Sequence, residues 1–293
     1  MGRRIRTSRW IEALGLWVAV AGVAGVAVGI FGAACSDSGY VTPDGDVDAF
    51  SPGPDAGEVC TGNNDGVIIQ EELPVIPGAT ANYLVNPPGT TVSVQPNGYT
   101  EGDGQRVWDF TSDAGQVFQI TVESVQDRWF AQHFPDADYA ALASPEGDTL
   151  GVYKVTSEAL WLLGYASPDP DSTLAVYDSP VALLRYPLSV GSSWVTVGTI
   201  QNATWEGVPF ASEDTFRVSV DDRGTVRLPY LDLLNTLRVH VELTQSLPGG
   251  TTLRRIQYLY IHECYGEMGR IVSLEGELDP NFTTAAEFRR LAL

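Results

Sequence analysis

Residues 237–262 read LRVHVELTQSLPGGTTLRRIQYLYIH, and this stretch decides the fold class. Leu237, Val239, Val241 and Leu243 alternate with Arg238, His240, Glu242 and Thr244. A period of two sends successive side chains to opposite faces of a strand, so this half reads as a strand with one apolar and one wet face. Pro248-Gly249-Gly250 supplies turn chemistry before the second run begins. A two-residue turn at Pro248-Gly249 predicts Val241 opposite Ile256, Val239 opposite Tyr258 and Leu237 opposite Tyr260. Glu242 then faces Arg255 on the other side.

The same period recurs outward from this hairpin. Trp108 and Phe110 alternate with Val107 and Asp109; Phe118, Ile120 and Val122 alternate with Gln119, Thr121 and Glu123. Phe216, Val218 and Val220 alternate with Arg217, Ser219 and Asp221 and end at the turn Asp222-Arg223-Gly224. Strands with one wet face belong to antiparallel sheet, because buried parallel strands are apolar throughout. The fold class is therefore mainly β: an antiparallel sheet, either a sandwich or a curved half-barrel, with one or two short helices. The helices are placed at Asp136–Ser144 and Thr283–Ala292, where Asp or Thr opens an Ala-rich run. The β-rich domain covers 79–293, and 188 is where two lobes would divide.

The N-terminus sets the compartment. Arg3, Arg4, Arg6 and Arg9 precede an uncharged run from Ala13 to Ala34, which closes on Phe31-Gly32-Ala33-Ala34-Cys35. Charge, then an apolar run, then small residues is the order of a secretory signal. Small residues directly before a Cys resemble the lipobox of bacterial lipoproteins, although Gly32 stands where that family has an aliphatic residue. The resemblance implies removal of residues 1–34, acylation of Cys35 and a lipid anchor, with the outer membrane as the expected address. The apolar run is also long enough to span a bilayer, which leaves an uncleaved anchor as the other reading. Residues 36–59, rich in Pro, Gly, Ser and Asp, read as an acidic tether that cannot form a core.

The formal charge is −20, and loss of four arginines with the signal deepens it. Such a surface repels nucleic acid and anionic membrane, so the expected membrane partner is the lipid on Cys35 alone. The other expected partners are an envelope protein or a hydrophobic ligand. Beyond Cys35 the chain has Cys60 and Cys264. Export permits a disulfide between them, against the alternative of two separate buried thiols.

Residues 60–73, CTGNNDGVIIQEEL, hold a candidate metal site. With Gly66 at the sharp turn, Thr61, Asn63, Asp65, the Val67 carbonyl and Glu72 fall at ligand positions of a calcium loop. The run resembles EF-hand and dockerin-type loops, with Thr61 in place of the usual Asp and Ile69 at a position that should offer oxygen. Calcium is the implied cofactor; a plain Asn-Asn-Asp-Gly turn is the alternative.

Catalysis finds little footing. The sequence has no Gly-x-Ser-x-Gly elbow, no His-Glu-x-x-His and no phosphate-cradling Gly loop. His133, His240 and His262 are spread apart, with His240 expected on a wet face. An enzyme is thus not the expected class, and a hydrolase would need a carboxylate pair that the sequence does not single out. Trp108, Trp129, Phe130, Trp161, Trp194 and Trp205 raise the alternative of a concave apolar face. The region from Tyr186 to Leu278 resembles the curved sheets of periplasmic lipoprotein carriers, which implies a carrier of hydrophobic ligands. The main expectation is a non-enzymatic interaction or structural module of the cell envelope.

Overall fold

The computed structural model describes Cys60 and residues 62–292. The signal, Cys35, the tether and Thr61 lie outside the described residues. Fifteen strands form one sheet. They are β1 (Thr80–Val85), β2 (Val92–Ser93), β3 (Tyr99–Thr100), β4 (Arg106–Asp109), β5 (Gln116–Thr121), β6 (Tyr139–Leu142), β7 (Leu150–Val155), β8 (Ala159–Ala166), β9 (Leu174–Arg185), β10 (Ser193–Trp205), β11 (Val208–Leu228), β12 (Leu231–Ser246), β13 (Thr252–His262), β14 (Gly266–Ser273) and β15 (Thr284–Leu291).

From β6 to β15 each strand pairs with the next in an antiparallel meander, and β1 and β5 add to the far side of β15. At the remaining gap, Glu123 and Ala140 exchange both backbone hydrogen bonds, at 2.8 and 2.9 Å. The curved sheet thereby comes close to closing into a barrel, which removes most exposed strand edge. Strands on either side of Leu188 are neighbours in this sheet. One pairing is parallel: β4 runs beside β11 through Val107 and Thr225.

The hairpin register differs by one residue from the sequence expectation. The Leu247 N–H bonds the Thr251 carbonyl at 2.8 Å, so the loop has three residues, with Gly249 and Gly250 at φ +91° and +87°. Val241 consequently faces Gln257, Val239 faces Leu259, and Leu243 faces Arg255. A one-residue slip exchanges the two faces of the incoming strand. Arg255 and Gln257 therefore share the barrel's inner face with Val241, while Tyr258 and Tyr260 join Arg238 and His240 outside. That outer face is not wet here: Arg238 and Tyr260 are buried, and His240 stacks on Tyr258 with ring centroids 4.9 Å apart.

Both predicted helices are strands. Tyr139 in β6 lies opposite Tyr153, and their rings stack 4.8 Å apart. In β15 the inward Glu287 and Arg289 lie opposite Val272 and Arg270 of β14. Ala favours helix by less than a kcal/mol per residue, which two flanking strands readily override. Among the described residues the helical turns are 3-10 segments at Gln70–Glu72 and Ala131–His133.

Cys60 and Cys264 form a disulfide, with Cα atoms 5.4 Å apart and a sequence separation of 204. Closing so long a loop removes unfolded-chain entropy worth on the order of 5 kcal/mol. The bridge pins residues 60–73 to the β13–β14 turn, and Ile68 pairs with Leu188 through two 2.8 Å backbone bonds.

Candidate ligand cleft

Residues 86–115, carrying β2 to β4, fold back as a flap over the outer faces of β11 to β15. Its anchors are aromatic and charged. Trp108 and Phe110 meet the Tyr260 ring edge-on at 5.1 and 4.9 Å. Phe110 fits because Gly269 lies beneath it; a Cβ there would approach the ring to 2.5 Å. The Arg238 Nη1 donates to the Pro96 carbonyl and to Asn97 Oδ1, at 2.8 and 2.7 Å, while Nε and Nη2 bind Asp221. Tyr260 Oη donates to the same Pro96 carbonyl at 2.9 Å.

Between the flap and the β14–β15 surface lies a cleft of about 580 Å³. Its floor is Ile271 and Phe288, Phe110 and Val94 form the apolar wall, and Tyr99 stands at one end. Asn86 fixes the floor: its Nδ2 donates to the Ala286 carbonyl, and its Oδ1 accepts the Phe288 N–H at 2.8 Å. At the other end Arg290, only 3% exposed, donates through Nε to the Ser112 carbonyl and through Nη2 to that of Ala114. Its guanidinium lies 5.2 Å from the Phe288 ring centroid. Burial pushes the Arg290 pKa down, and the field of Asp113 opposes that shift. No salt bridge involves Arg290 among the described residues. Asp109, also on the cleft, accepts two hydrogen bonds from Thr111, which hold its carboxyl below the usual range.

No family model, curated protein or solved structure matches this chain. The site is therefore read from its own geometry.

A second polar region lies inside the barrel. Glu267 and Arg270 pair there, Arg289 Nη2 reaches Glu287 Oε1 at 2.8 Å, and Tyr83 Oη donates to the Glu267 carbonyl. Tyr177 Oη donates to Asp214 Oδ2 at 2.6 Å, and Gln245 Nε2 to Oδ1 at 3.0 Å. Burial raises Asp214 above the ordinary carboxylate range despite these donors. A cavity of about 40 Å³, bordered by Arg255, Arg270 and Glu287, opens at one end. That volume suits a few waters, not an organic ligand.

In the calcium-like loop, Asn63 Oδ1 accepts the Asp65 N–H at 2.9 Å and Asp65 Oδ1 accepts the Val67 N–H at 2.7 Å. Glu72 is buried and its Oε2 accepts the Ile69 N–H at 3.0 Å; burial pushes its pKa up. Each side-chain ligand candidate among the described residues thus holds a local N–H. No group of three His, Cys, Asp or Glu is placed to hold a metal among the described residues. The residue that sequence reasoning missed is Glu263, whose carboxylate accepts the N–H groups of Asn63 and Asn64 at 3.2 and 2.8 Å. Its one available signal was adjacency to Cys264.

The tryptophans do not share one surface. Trp108 belongs to the flap and meets Tyr260, and Trp129 packs with Phe130 outside β6 to β8. Trp194 donates to the Ala182 carbonyl, Trp161 to Thr156, and Trp205 meets Tyr165. The cleft instead uses Phe110, Phe288 and Tyr99. His262 bonds its neighbour's carbonyl at Glu263, and burial lowers its pKa, as suits a structural histidine.

Proposed function

We propose that this chain is a lipid-anchored cell-envelope protein that binds, rather than transforms, a small molecule with an apolar body in the cleft between flap and barrel. The observation that carries the reading is the cleft itself: about 580 Å³, floored by Ile271 and Phe288 and walled by Phe110. This volume is that of small-molecule sites, and the lining joins these apolar residues to Asn86, Ser93, Gln95, Thr111 and Ser112. The ionisable groups on its lining favour binding over chemistry. Asp109 is held by Thr111, the Tyr99 hydroxyl accepts from Arg227, and Arg290 holds two carbonyls.

The signal and Cys35 supply the anchoring half of the proposal, and the acidic tether sets the domain off the bilayer. Charged side chains on the outer wall, such as Glu213, Arg217 and Glu242, fit a barrel that stands in water. Cys35→Ser should release the protein from the membrane fraction. For the cleft, an alkyl diazirine probe should label peptides from 86–115 and 271–290, and Ala114→Trp, at the exposed lip, should abolish that labelling. Labelling spread evenly over the surface would reject the binding site.

A second reading has its own observation. The tip of the β11–β12 hairpin presents Tyr230 at 90% exposure, with Leu234 nearby at 55%. Exposed aromatic and aliphatic side chains at a projecting tip suit a protein–protein contact. A photo-crosslinking residue at position 230 should then give one discrete adduct in cells; no adduct would discard an interaction module built on this tip.

A further inference from the structure

The Arg290 end of the cleft is an unfinished ion pair. Its guanidinium offers five N–H groups. Two are engaged by the Ser112 and Ala114 carbonyls, Nε and Nη2 being the donors, and no protein hydrogen bond to Nη1 is found among the described residues. A buried cation without a carboxylate is costly, because carbonyl dipoles replace water only in part. The carboxylate whose field reaches it is Asp113, which is exposed and makes no contact within salt-bridge range. Asp109, the acid on the cleft lining, is turned to Thr111 and feels Arg227 instead. The cleft lining therefore joins one cation, Arg290, to apolar residues, with Phe288 against the guanidinium and Ile271 and Phe110 also on the lining.

From this combination we infer that the cleft's ligand is an amphiphile with an anionic head, a carboxylate carried on an aliphatic or aromatic body, and that Arg290 binds the head. The inference rests on the binding reading above and adds the head group. The carboxylate completes the guanidinium's hydrogen bonds, and the body covers the Phe288 and Ile271 floor. Phe288 serves both parts, since its ring lies against the guanidinium and it also lines the cleft.

The test uses the full chain in lipid nanodiscs. A medium-chain carboxylate bearing a diazirine is compared with the matching alcohol, and labelled peptides are mapped by mass spectrometry. We expect the carboxylate to label 86–115 and 271–290 on the order of tenfold more at equal concentration, the worth of one charge-assisted hydrogen bond. Arg290→Met should erase the difference while leaving alcohol labelling in place. Equal labelling by both probes overturns the head-group assignment but leaves the cleft as a binding site. No cleft labelling by either probe overturns both. If Arg290→Met does not fold, Asp113→Asn decides: removing the competing carboxylate should raise labelling by the acid alone, and no change rejects the assignment.

Discussion

The Glu263 carboxylate accepts the backbone N–H of Asn64 at 2.8 Å, one residue before the cysteine that bonds Cys60. Two neighbouring clasps thus hold the entry to the domain. Glu263→Ala leaves two part-buried N–H groups unpaired and should cost about 1–3 kcal/mol in urea unfolding. Loss of the disulfide in Cys264→Ala should cost more, on the order of 5 kcal/mol. The two losses should not add, because each clasp holds the same segment. A Glu263→Ala protein as stable as the parent would show that this clasp is idle.

Asp214 gives a pH prediction. Its folded pKa lies above the ordinary aspartate value, chiefly through burial, so the folded state keeps a proton that the unfolded chain has released. Stability from this group is full below the unfolded pKa and is lost as pH rises through the folded one. Asp214→Asn removes that loss. Melting temperatures measured from roughly pH 4 to roughly pH 7 should show the parent falling relative to the variant as pH rises. A constant difference would mean that Asp214 titrates normally.

Arg289 is fully buried between Glu287 and Glu267. Arg289→Met strands the Glu287 carboxylate in the barrel and should cost about 3–5 kcal/mol. Adding Glu287→Gln should recover part of it, since the stranded charge rather than the lost pair is the larger penalty. Chemical denaturation of both variants measures the recovery; none at all would show that the inner end of the barrel is hydrated enough to hold a free carboxylate.

The calcium-like loop has its oxygens engaged locally, at Asn63, Asp65 and Glu72. We expect the melting temperature in millimolar calcium to match that in magnesium. A rise specific to calcium, absent in Glu72→Ala, would instead show that the loop releases these N–H groups to take the ion.

Much of the architecture was legible because the strands of the middle of the chain have one face wet. Phe216, Val218 and Val220 are buried while Arg217, Ser219 and Asp221 are not, and this alternation survives into the sequence. It fails at β13, where Tyr258 to His262 are all buried because the flap covers the outer face as the barrel covers the inner. With no wet face, nothing local fixed the register, and one extra loop residue at Gly250 exchanged the faces. Covered outer faces also defeated the helix expectations at β15, under the flap, and at β6, where Phe130 and Phe134 pack, so that propensity alone was left to read.

What the sequence by itself determined is an antiparallel β domain, because alternation is a local fact; it left a Cys60–Cys264 bridge and two separate thiols both open, and the structure shows the bridge. The sequence also carries the lipobox-like run ending at Cys35 as an expectation. The tertiary structure alone decided that the sheet curls until Glu123 meets Ala140, that residues 86–115 double back over it, and that Arg290 ends beside Phe288 with no carboxylate partner among the described residues. The contact of Arg290 with Ser112 joins residues 178 positions apart in the chain. No local period encodes a contact of that range; it follows only once each strand has found its neighbour and the leftover surfaces are pressed together.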